Sequence, residues 1–176
     1  MQLLDLVAPA EDVVYVGRRT FDDEPIITIE TPQGEAISGL PHIERSAAPG
    51  GLEWGYGGAG PRDLARSLML HALGEAGLCH TCGGSGYMRV RAEPCAPQGY
   101  VTEPYPAGVE PLPEENRVLC GNHAGCDEGY ASVPVGAFLD DFVRTWPNGP
   151  GTQWRITRRE VLAWLSARQA GSATAG

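Results

Sequence analysis

Residues 53–74 read EWGYGGAGPRDLARSLMLHALG and join a glycine-rich loop to a helix. The closely spaced glycines favour an irregular loop, because glycine loses more conformational freedom in regular structure than any other residue. Pro61 suits the first turn of a helix, and Asp63 suits the positive end of its dipole. We predict a helix from about 61 to 76, ended by Gly77. One face is apolar at helical spacing, at Leu64, Leu68, Ala72 and Ala76.

Three strands are predicted before this loop. Residues 13–18 and 26–31 are rich in β-branched and aromatic side chains, and a third strand is expected at about 35–40. The Pro and Gly between the second and third runs suit a hairpin turn. These strands predict a small antiparallel sheet at the N-terminus.

Two further helices are predicted towards the C-terminus. In the last one, Thr157 and Glu160 form a capping box, and Ile156 and Val161 occupy the hydrophobic staple positions. The other follows Pro134, with apolar side chains at helical spacing: Val135, Phe138, Leu139, Phe142 and Val143. The pattern therefore predicts an α+β fold, a small N-terminal antiparallel sheet packed with about three helices.

Two short segments carry residues suited to zinc, CHTCGGSGY at 79–87 and CGNHAGCDEGY at 120–130. Cys79 and Cys82 are three residues apart, a spacing that lets both side chains converge on one ion around a tight turn. A tetrahedral site needs four ligands, and the second segment offers three: Cys120, His123 and Cys126. Two of these three complete the site in our prediction.

The first segment is similar to the Cys-x-x-Cys-x-Gly-x-Gly pattern of the zinc modules in J-domain chaperones. Residues 79–86 contain the full pattern, and 120–130 resemble a degraded copy. Two such half-sites share one zinc, which the resemblance implies here, whereas chaperone activity is not implied. His80 and Cys95 are expected not to bind the metal.

We expect this zinc to be structural. A catalytic zinc keeps an open position for water, often beside a glutamate that acts as base, and Glu128 lies near the second segment. The zinc deaminase signature, however, places its glutamate two residues after the histidine, a spacing that the second segment lacks. Enough thiolates are present to close the site.

The glycine-rich loop before the helix has two interpretations. Backbone N–H groups at a helix N-terminus can bind an anion, which would involve Trp54, Gly55, Tyr56, Gly57, Gly58 and Gly60. The alternative is a tight crossover in which the aromatic residues pack on the core and the glycines permit close approach. We favour the crossover because the stretch lacks the lysine of a P-loop.

The same stretch resembles the signature W-G-Y-G-G-S-G-P-x-x-L-A of a family of small uncharacterised domains found in bacteria and phages. Three other runs are similar to that family: YVGRR at 15–19, AFLDDFV at 137–143, and the pattern W-x-I-T-x-x-E-V-L-x-W-L at 154–165. Ala59 replaces the usual serine. The resemblance implies a compact α+β core at 13–78 and 133–166, with an inserted zinc segment, and implies no activity.

The domain organisation follows from these segments. Residues 1–78 and 133–168 are expected to form the core domain, and 79–132 a zinc-stapled insertion. Residues 91–117 hold six prolines and five glutamates, which predicts a solvated loop inside the insertion. The small and polar residues of 169–176 predict a disordered tail.

Composition narrows the possible functions. The net charge is -9, and all 13 basic residues are arginine, so phosphate-binding P-loops and pyridoxal enzymes, which need a lysine, are excluded. An acidic chain is a poor general binder of nucleic acid. No run approaches the roughly 18 apolar residues of a membrane span, and we expect a cytoplasmic protein in which cysteines bind metal instead of forming disulfides.

These observations favour a non-catalytic, zinc-containing accessory or regulatory protein that presents a surface to a partner protein. A first alternative is a small enzyme or ligand-binding protein that uses the glycine-rich loop for an anionic or nucleotide ligand, with His71 nearby on the helix. His71 is more simply a surface or half-buried residue. A second alternative is nucleic-acid binding through the zinc segment, with Arg89 and Arg91 beside it.

Overall fold

The computed structural model describes residues 12–43, 45–46, 50–82, 87–92, 100–104, 117–120, 126–127 and 129–173. By their contacts these residues form two compact units. The core unit contains the described parts of 8–73 and 133–176, and the cysteine unit contains those of 74–132. Within the described residues, no helix is long and apolar enough to cross a membrane.

The core unit is built on a four-stranded antiparallel sheet of order β3-β2-β1-β9. Three strands come from the N-terminal part of the chain, close to their predicted bounds: β1 (Val14–Arg19), β2 (Pro25–Glu30) and β3 (Ala36–Gly39). Adjacent residues of β1 and β2 pair in strict register, from Val14 opposite Glu30 to Arg19 opposite Pro25. The predicted N-terminal antiparallel sheet is therefore confirmed.

The fourth strand, β9 (Gln153–Thr157), comes from the C-terminal part of the chain and was not predicted. It pairs antiparallel with β1, so that Gly17 faces Trp154 and Tyr15 faces Ile156. Trp154 and Ile156 are buried, whereas Gln153 and Arg155 are exposed, which is the period-two pattern of a strand with one face on the core.

Three helices accompany the sheet, as the sequence predicts: α1 (Ala59–Leu73), α2 (Val135–Asp141) and α3 (Arg158–Ala173). Helix α1 begins two residues before Pro61, and its last predicted turn is instead a 3-10 helix at Gly74–Gly77. The apolar faces of the three helices and one face of the sheet share a single core, in which Tyr15, Leu64, Leu68, Phe138 and Val161 have no exposed surface. The fold class is α+β.

The capping box of α3 is present as predicted. The Glu160 carboxylate accepts hydrogen bonds from the Thr157 N–H and hydroxyl, both at 2.7 Å, and the Thr157 hydroxyl oxygen accepts from the Glu160 N–H at 3.1 Å. The helix then continues to Ala173, so the tail predicted to be disordered at 169–176 is helical as far as 173. Gln169 and Ala170 favour helix, although Gly171 does not. Residues 174–176 lie outside the described residues.

Tryptophans fill the centre of the core unit. The Trp154 ring stacks on Trp146 at 4.0 Å between centroids and meets Trp54 edge-on at 5.7 Å. The other side of Trp154 covers Gly17, whose missing side chain leaves room for the indole: a Cβ built there would lie 2.2 Å from the ring. Glycine weakens strands, but at position 17 a larger residue would clash with the Trp154 indole.

A buried carboxylate fastens the loop after β3 to helix α1. Asp63 has no exposed surface and accepts hydrogen bonds from the backbone N–H groups of Arg45 and Ser46 at 3.2 Å. Its side chain also lies 3.4 Å from His42 Nε2 and from the Arg66 guanidinium. One turn later, the Ser67 hydroxyl accepts from the Ile43 N–H at 2.9 Å. Asp63 thus satisfies loop donors, whereas its predicted place at the helix N-terminus is wrong, because α1 begins at Ala59 and has no acidic residue in its first turn.

The cysteine unit contains a three-stranded antiparallel sheet of order β5-β4-β6, with strands β4 (Tyr87–Ala92), β5 (Tyr100–Pro104) and β6 (Arg117–Leu119). A two-stranded ladder follows, formed by β7 (Cys126–Asp127) and β8 (Tyr130–Ala131). A solvated loop was predicted over 91–117, and the prediction of a loop is wrong at 91–92, 100–104 and 117, which belong to β4, β5 and β6. The alternating residues YMRVRA and YVTEP are strand sequences, and the proline content of the segment concealed them.

Candidate metal centre

Cys79 and Cys82 lie just after the 3-10 helix that ends at Gly77. Leu78 forms an isolated β-bridge with Tyr130, and the Cys79 N–H donates to the Gly129 carbonyl at 2.8 Å. Gly129 has a φ of 99°, a conformation that favours glycine, so the chain can turn back towards Cys79 at this point. The backbone around the first cysteine pair is thereby held against the end of the second cysteine segment.

Cys120 reaches the same place through the sheet. In the β4–β6 ladder Tyr87 is opposite Leu119, so β4 begins at the end of the sheet where β6 finishes. Cys82 precedes β4 and Cys120 directly follows β6, which puts both cysteine-bearing loops at one end of this sheet. Long-range pairing of two strands therefore brings together cysteines that are far apart in sequence.

Three thiols converge in this unit. The Sγ atoms of Cys79, Cys82 and Cys120 all lie within 4.8 Å of one another, and those of Cys79 and Cys120 are 3.9 Å apart. A tetrahedron with Zn–S bonds of about 2.3 Å has sulfur atoms about 3.8 Å apart, so this spacing fits a metal ion. It is too long for a disulfide, whose sulfurs are about 2.05 Å apart.

The thiol cluster is closed to solvent. Cys79 and Cys82 have no exposed surface, Cys120 is 7% exposed, and Met88 packs beside them with 9% exposed. Three soft sulfur ligands in an apolar surrounding could bind a metal. The cluster contributes three ligands, one fewer than a tetrahedral site needs.

The structure describes only part of the remaining predicted ligands, Cys126 and His123. Cys126 lies in β7, where it pairs with Ala131, and the neighbouring Tyr130 also bridges to Leu78, next to Cys79. The β7–β8 ladder therefore contains Cys126 and is also bridged, through Tyr130, to the residue that precedes Cys79. The side chain of Cys126 and the whole of His123 lie outside the described residues, as do Cys95 and Glu128. His80 is described, and it is exposed.

The glycine-rich loop is tightly packed in the core unit. Trp54 is fully buried, and its Nε1 donates to the Pro147 carbonyl at 2.7 Å. Gly55 has a φ of 84° and lies against Asn148, and a Cβ on Gly60 would lie 2.7 Å from the Gly51 carbonyl. Both glycines therefore permit close approach, which is the role that the crossover interpretation gives them.

The other residues of this predicted anion-binding loop lie nearer the surface. Tyr56 is 44% exposed, and its ring lies over Gly58. A Cβ on Gly57 would lie 3.1 Å from the Arg144 guanidinium, so a cation does border the loop. That guanidinium is paired with Asp140 at 2.9 Å. Anion binding by this loop stays a prediction.

His71 is buried against the sheet, whereas the sequence predicted a surface or half-buried residue. Its Nδ1 lies 2.9 Å from the Tyr15 hydroxyl, and only 5% of the residue is exposed. Burial, and then the charge of Arg158, lower the pKa of His71, while burial raises that of Tyr15. The pair is therefore suited to a neutral hydrogen bond inside the core unit.

Three arginines lie close together in sequence at the end of β9 and the start of α3, and they have different contacts. Arg155 belongs to β9 and is exposed. Arg158 donates to the Ala72 carbonyl at 2.8 Å, and Arg159 pairs with Asp12 at 2.8 Å. Of the two arginines that begin α3, Arg158 is half-buried and Arg159 is exposed.

Comparison with known proteins gives one family match, over part of the chain. Residues 15–82 match a family of unknown function, DUF6166. The match spans β1 to α1 and ends at Cys82, and it covers less than half of the chain. It agrees with the expectation of an uncharacterised domain in this stretch, while the likeness to a chaperone zinc module stays a prediction. No curated protein and no solved structure matches the chain.

Proposed function

We propose that this protein is a non-catalytic accessory or regulatory protein whose cysteine unit is stabilised by one structural zinc ion. The observation that carries the zinc is the buried cluster of Cys79, Cys82 and Cys120, with sulfurs within 4.8 Å of one another. Cys126 or His123 supplies the fourth ligand. A site of this kind is closed, because its protein ligands leave no position for a substrate.

Burial distinguishes the structural role from a catalytic one. A catalytic zinc needs a water-accessible position, whereas two of these three cysteines have no exposed surface. The bound ion would connect the turn at 79–82 to the end of β6, two segments with few apolar side chains of their own. In small metal domains, such binding energy is folding energy.

Hydrogen exchange with and without a strong chelator tests the structural role. We expect the amides of β4 and β6 to lose protection when zinc is removed, because the ion joins the loops at the ends of both strands. A Cys95→Ser variant is the matched control and is expected to keep wild-type protection. Unchanged exchange in both strands after complete metal removal would refute a structural zinc.

Cobalt substitution identifies the fourth ligand. Cobalt(II) bound to four thiolates and to three thiolates with one imidazole gives different visible spectra. We expect one of the variants His123→Ala and Cys126→Ser to change the spectrum and the other to leave it as in the wild type. If both leave it unchanged, neither residue is a ligand, and the proposed ligand set is wrong.

The accessory role requires a partner, and we propose a protein. The tagged full-length chain, purified under native conditions from its own host, is expected to retain one partner at a fixed ratio. A chain that is recovered alone at every salt concentration would count against the accessory role. This outcome would leave the zinc site unaffected.

A further inference from the structure

Three loops of the core unit are hydrogen-bonded into one surface, which we call the loop surface. The Arg19 N–H donates to the Thr152 carbonyl, and the Gly151 N–H donates to the Arg19 carbonyl, both at 3.0 Å. The Trp54 side chain bonds to Pro147 at 2.7 Å. The loop surface consists of the β1–β2 turn at 20–24, the glycine-rich loop at 50–58 and the turn at 146–152.

Aromatic side chains are exposed on each of these loops. Phe21 is 90% exposed, Tyr56 is 44% exposed, and Trp146 is partly exposed where it stacks on Trp154. Isolated exposed apolar residues are common, but three aromatics on three bonded loops are the composition of an interface. The Phe21 ring lies beside Gly151, where an added Cβ would be 3.4 Å from the ring.

The turn that carries Phe21 is held by several hydrogen bonds. Asp23 N–H donates to the Thr20 carbonyl at 3.1 Å, and Glu24 N–H donates to the Thr20 hydroxyl at 3.1 Å. Asp23 has a φ of 65°, and its carbonyl accepts from the buried Arg19 guanidinium at 2.9 Å. A side chain held on such a turn binds at a low entropic cost, because little freedom remains to be lost.

The charge around Phe21 selects the kind of partner. Asp22, Asp23 and Glu24 are all exposed beside it. Arg19 is only 8% exposed, is paired with Glu53, and also lies 3.4 Å from the Asp23 carboxylate, which stays 59% exposed. The acidic side chains therefore face solvent, and arginine or lysine of a partner could both pair with them and stack on the aromatic rings.

We propose that the loop surface binds a basic protein, with Phe21 inserted into an apolar pocket whose rim carries arginine or lysine. This proposal rests on the proposed accessory role and names the surface that serves it. The expected contribution is that of an interface hot spot, so truncation of Phe21 should weaken binding by roughly 30-fold. Nucleic acid is disfavoured at this surface because its phosphates would meet the three carboxylates.

Site-specific photocrosslinking of the full chain in its own host tests the proposal. One chain carries benzoylphenylalanine in place of Phe21. The matched control carries benzoylphenylalanine in place of Ile37, which is 56% exposed in β3, away from the β1–β2 turn. We expect one basic protein to be captured at least about tenfold more at position 21, as for a hot-spot contact. Removing the three negative charges of the β1–β2 turn, by Asp22→Asn, Asp23→Asn and Glu24→Gln together, should abolish this capture.

Each other outcome contradicts the proposal, and the outcomes differ in whether the accessory role is contradicted as well. Equal capture at both positions, or capture that survives neutralisation, means that a partner exists but binds elsewhere, and the accessory role stands. Capture of a second copy of this chain, or of nucleic acid, assigns the loop surface to a different occupant. If no protein is captured at either position and none co-purifies, both the surface and the accessory role fail.

Discussion

Replacing Gly17 by alanine is expected to destabilise the core unit strongly. An added Cβ would lie 2.2 Å from Cε2 and Nε1 of Trp154 and 2.5 Å from Cζ2, so the indole must move. It cannot move freely, because Trp146 stacks on it at 4.0 Å and Trp54 meets it at 5.7 Å. The change therefore creates an overpacked core and not only a crowded strand.

The magnitude follows from two opposing effects. Overpacking a well-packed core costs about 1–3 kcal/mol, and distances this short place Gly17→Ala at the upper end. Alanine is better than glycine in a strand by about 0.5–1 kcal/mol, which offsets part of that cost. The free energy of unfolding should fall by about 2 kcal/mol, which lowers the melting temperature of a chain of this size by about 4–8 °C.

Tryptophan fluorescence during thermal unfolding is the assay, because all four tryptophans lie in the core unit. Gly136→Ala is the matched control, since a Cβ there meets nothing within 4 Å and should stabilise α2 slightly. In a Trp154→Leu background, Gly17→Ala should cost much less, which isolates the indole as the cause. A Gly17→Ala protein that melts at or above the wild-type temperature would refute the reasoning.

Three further predictions concern titration and capping. Burial and the charge of Arg158 lower the pKa of His71, so its stabilising effect is complete above about pH 6.5 and is lost as the pH falls further. The urea midpoint should therefore drop from pH 7.5 to 5.5 more in the wild type than in His71→Gln, and equal drops would contradict this. Thr157→Ala should cost about 1 kcal/mol and Glu160→Gln clearly less, because glutamine can still close the capping box; equal losses in urea titrations would argue against the box. Asp63→Ala, which removes the acceptor of two part-buried loop N–H groups, should cost about 3 kcal/mol by the same assay, and a loss below about 1 kcal/mol would contradict this role.

The sequence predicted local elements best where a single mechanism dominates. The β1–β2–β3 run has alternating, β-branched residues and turn signals, and α1 has a proline start and an apolar stripe, so all four elements lie close to their expected positions. The capping box placed the start of α3 correctly, because its two side chains are local partners.

Other features were hidden because they depend on distant partners. The strand β9 directly precedes the capping box, so Ile156 was read as a helix staple, although Trp154 and Ile156 already alternated with polar residues. The burial of His71 depends on Tyr15, 56 residues away, and no local pattern indicates that pair. The strands β4 to β6 were missed because proline and glutamate dominate the composition around them.

The candidate metal centre contains both a local pattern that the sequence predicts and a long-range contact that it does not. The spacing of Cys79 and Cys82 was enough to predict a ligand pair. That Cys120 joins them follows from the pairing of Tyr87 with Leu119, which is a long-range contact and not a spacing. The choice between His123 and Cys126 depends on side chains that spacing alone does not orient.

The metal content of the purified chain tests the central claim most directly. The protein should be reduced, prepared without chelators and analysed by mass spectrometry beside the Cys79→Ser, Cys82→Ser double variant and the Cys95→Ser control. The account predicts about one zinc per chain in the wild type and in the control, and none in the double variant, as for a single tetrahedral thiolate site. Wild-type protein without zinc, or a double variant that keeps it, would contradict the account.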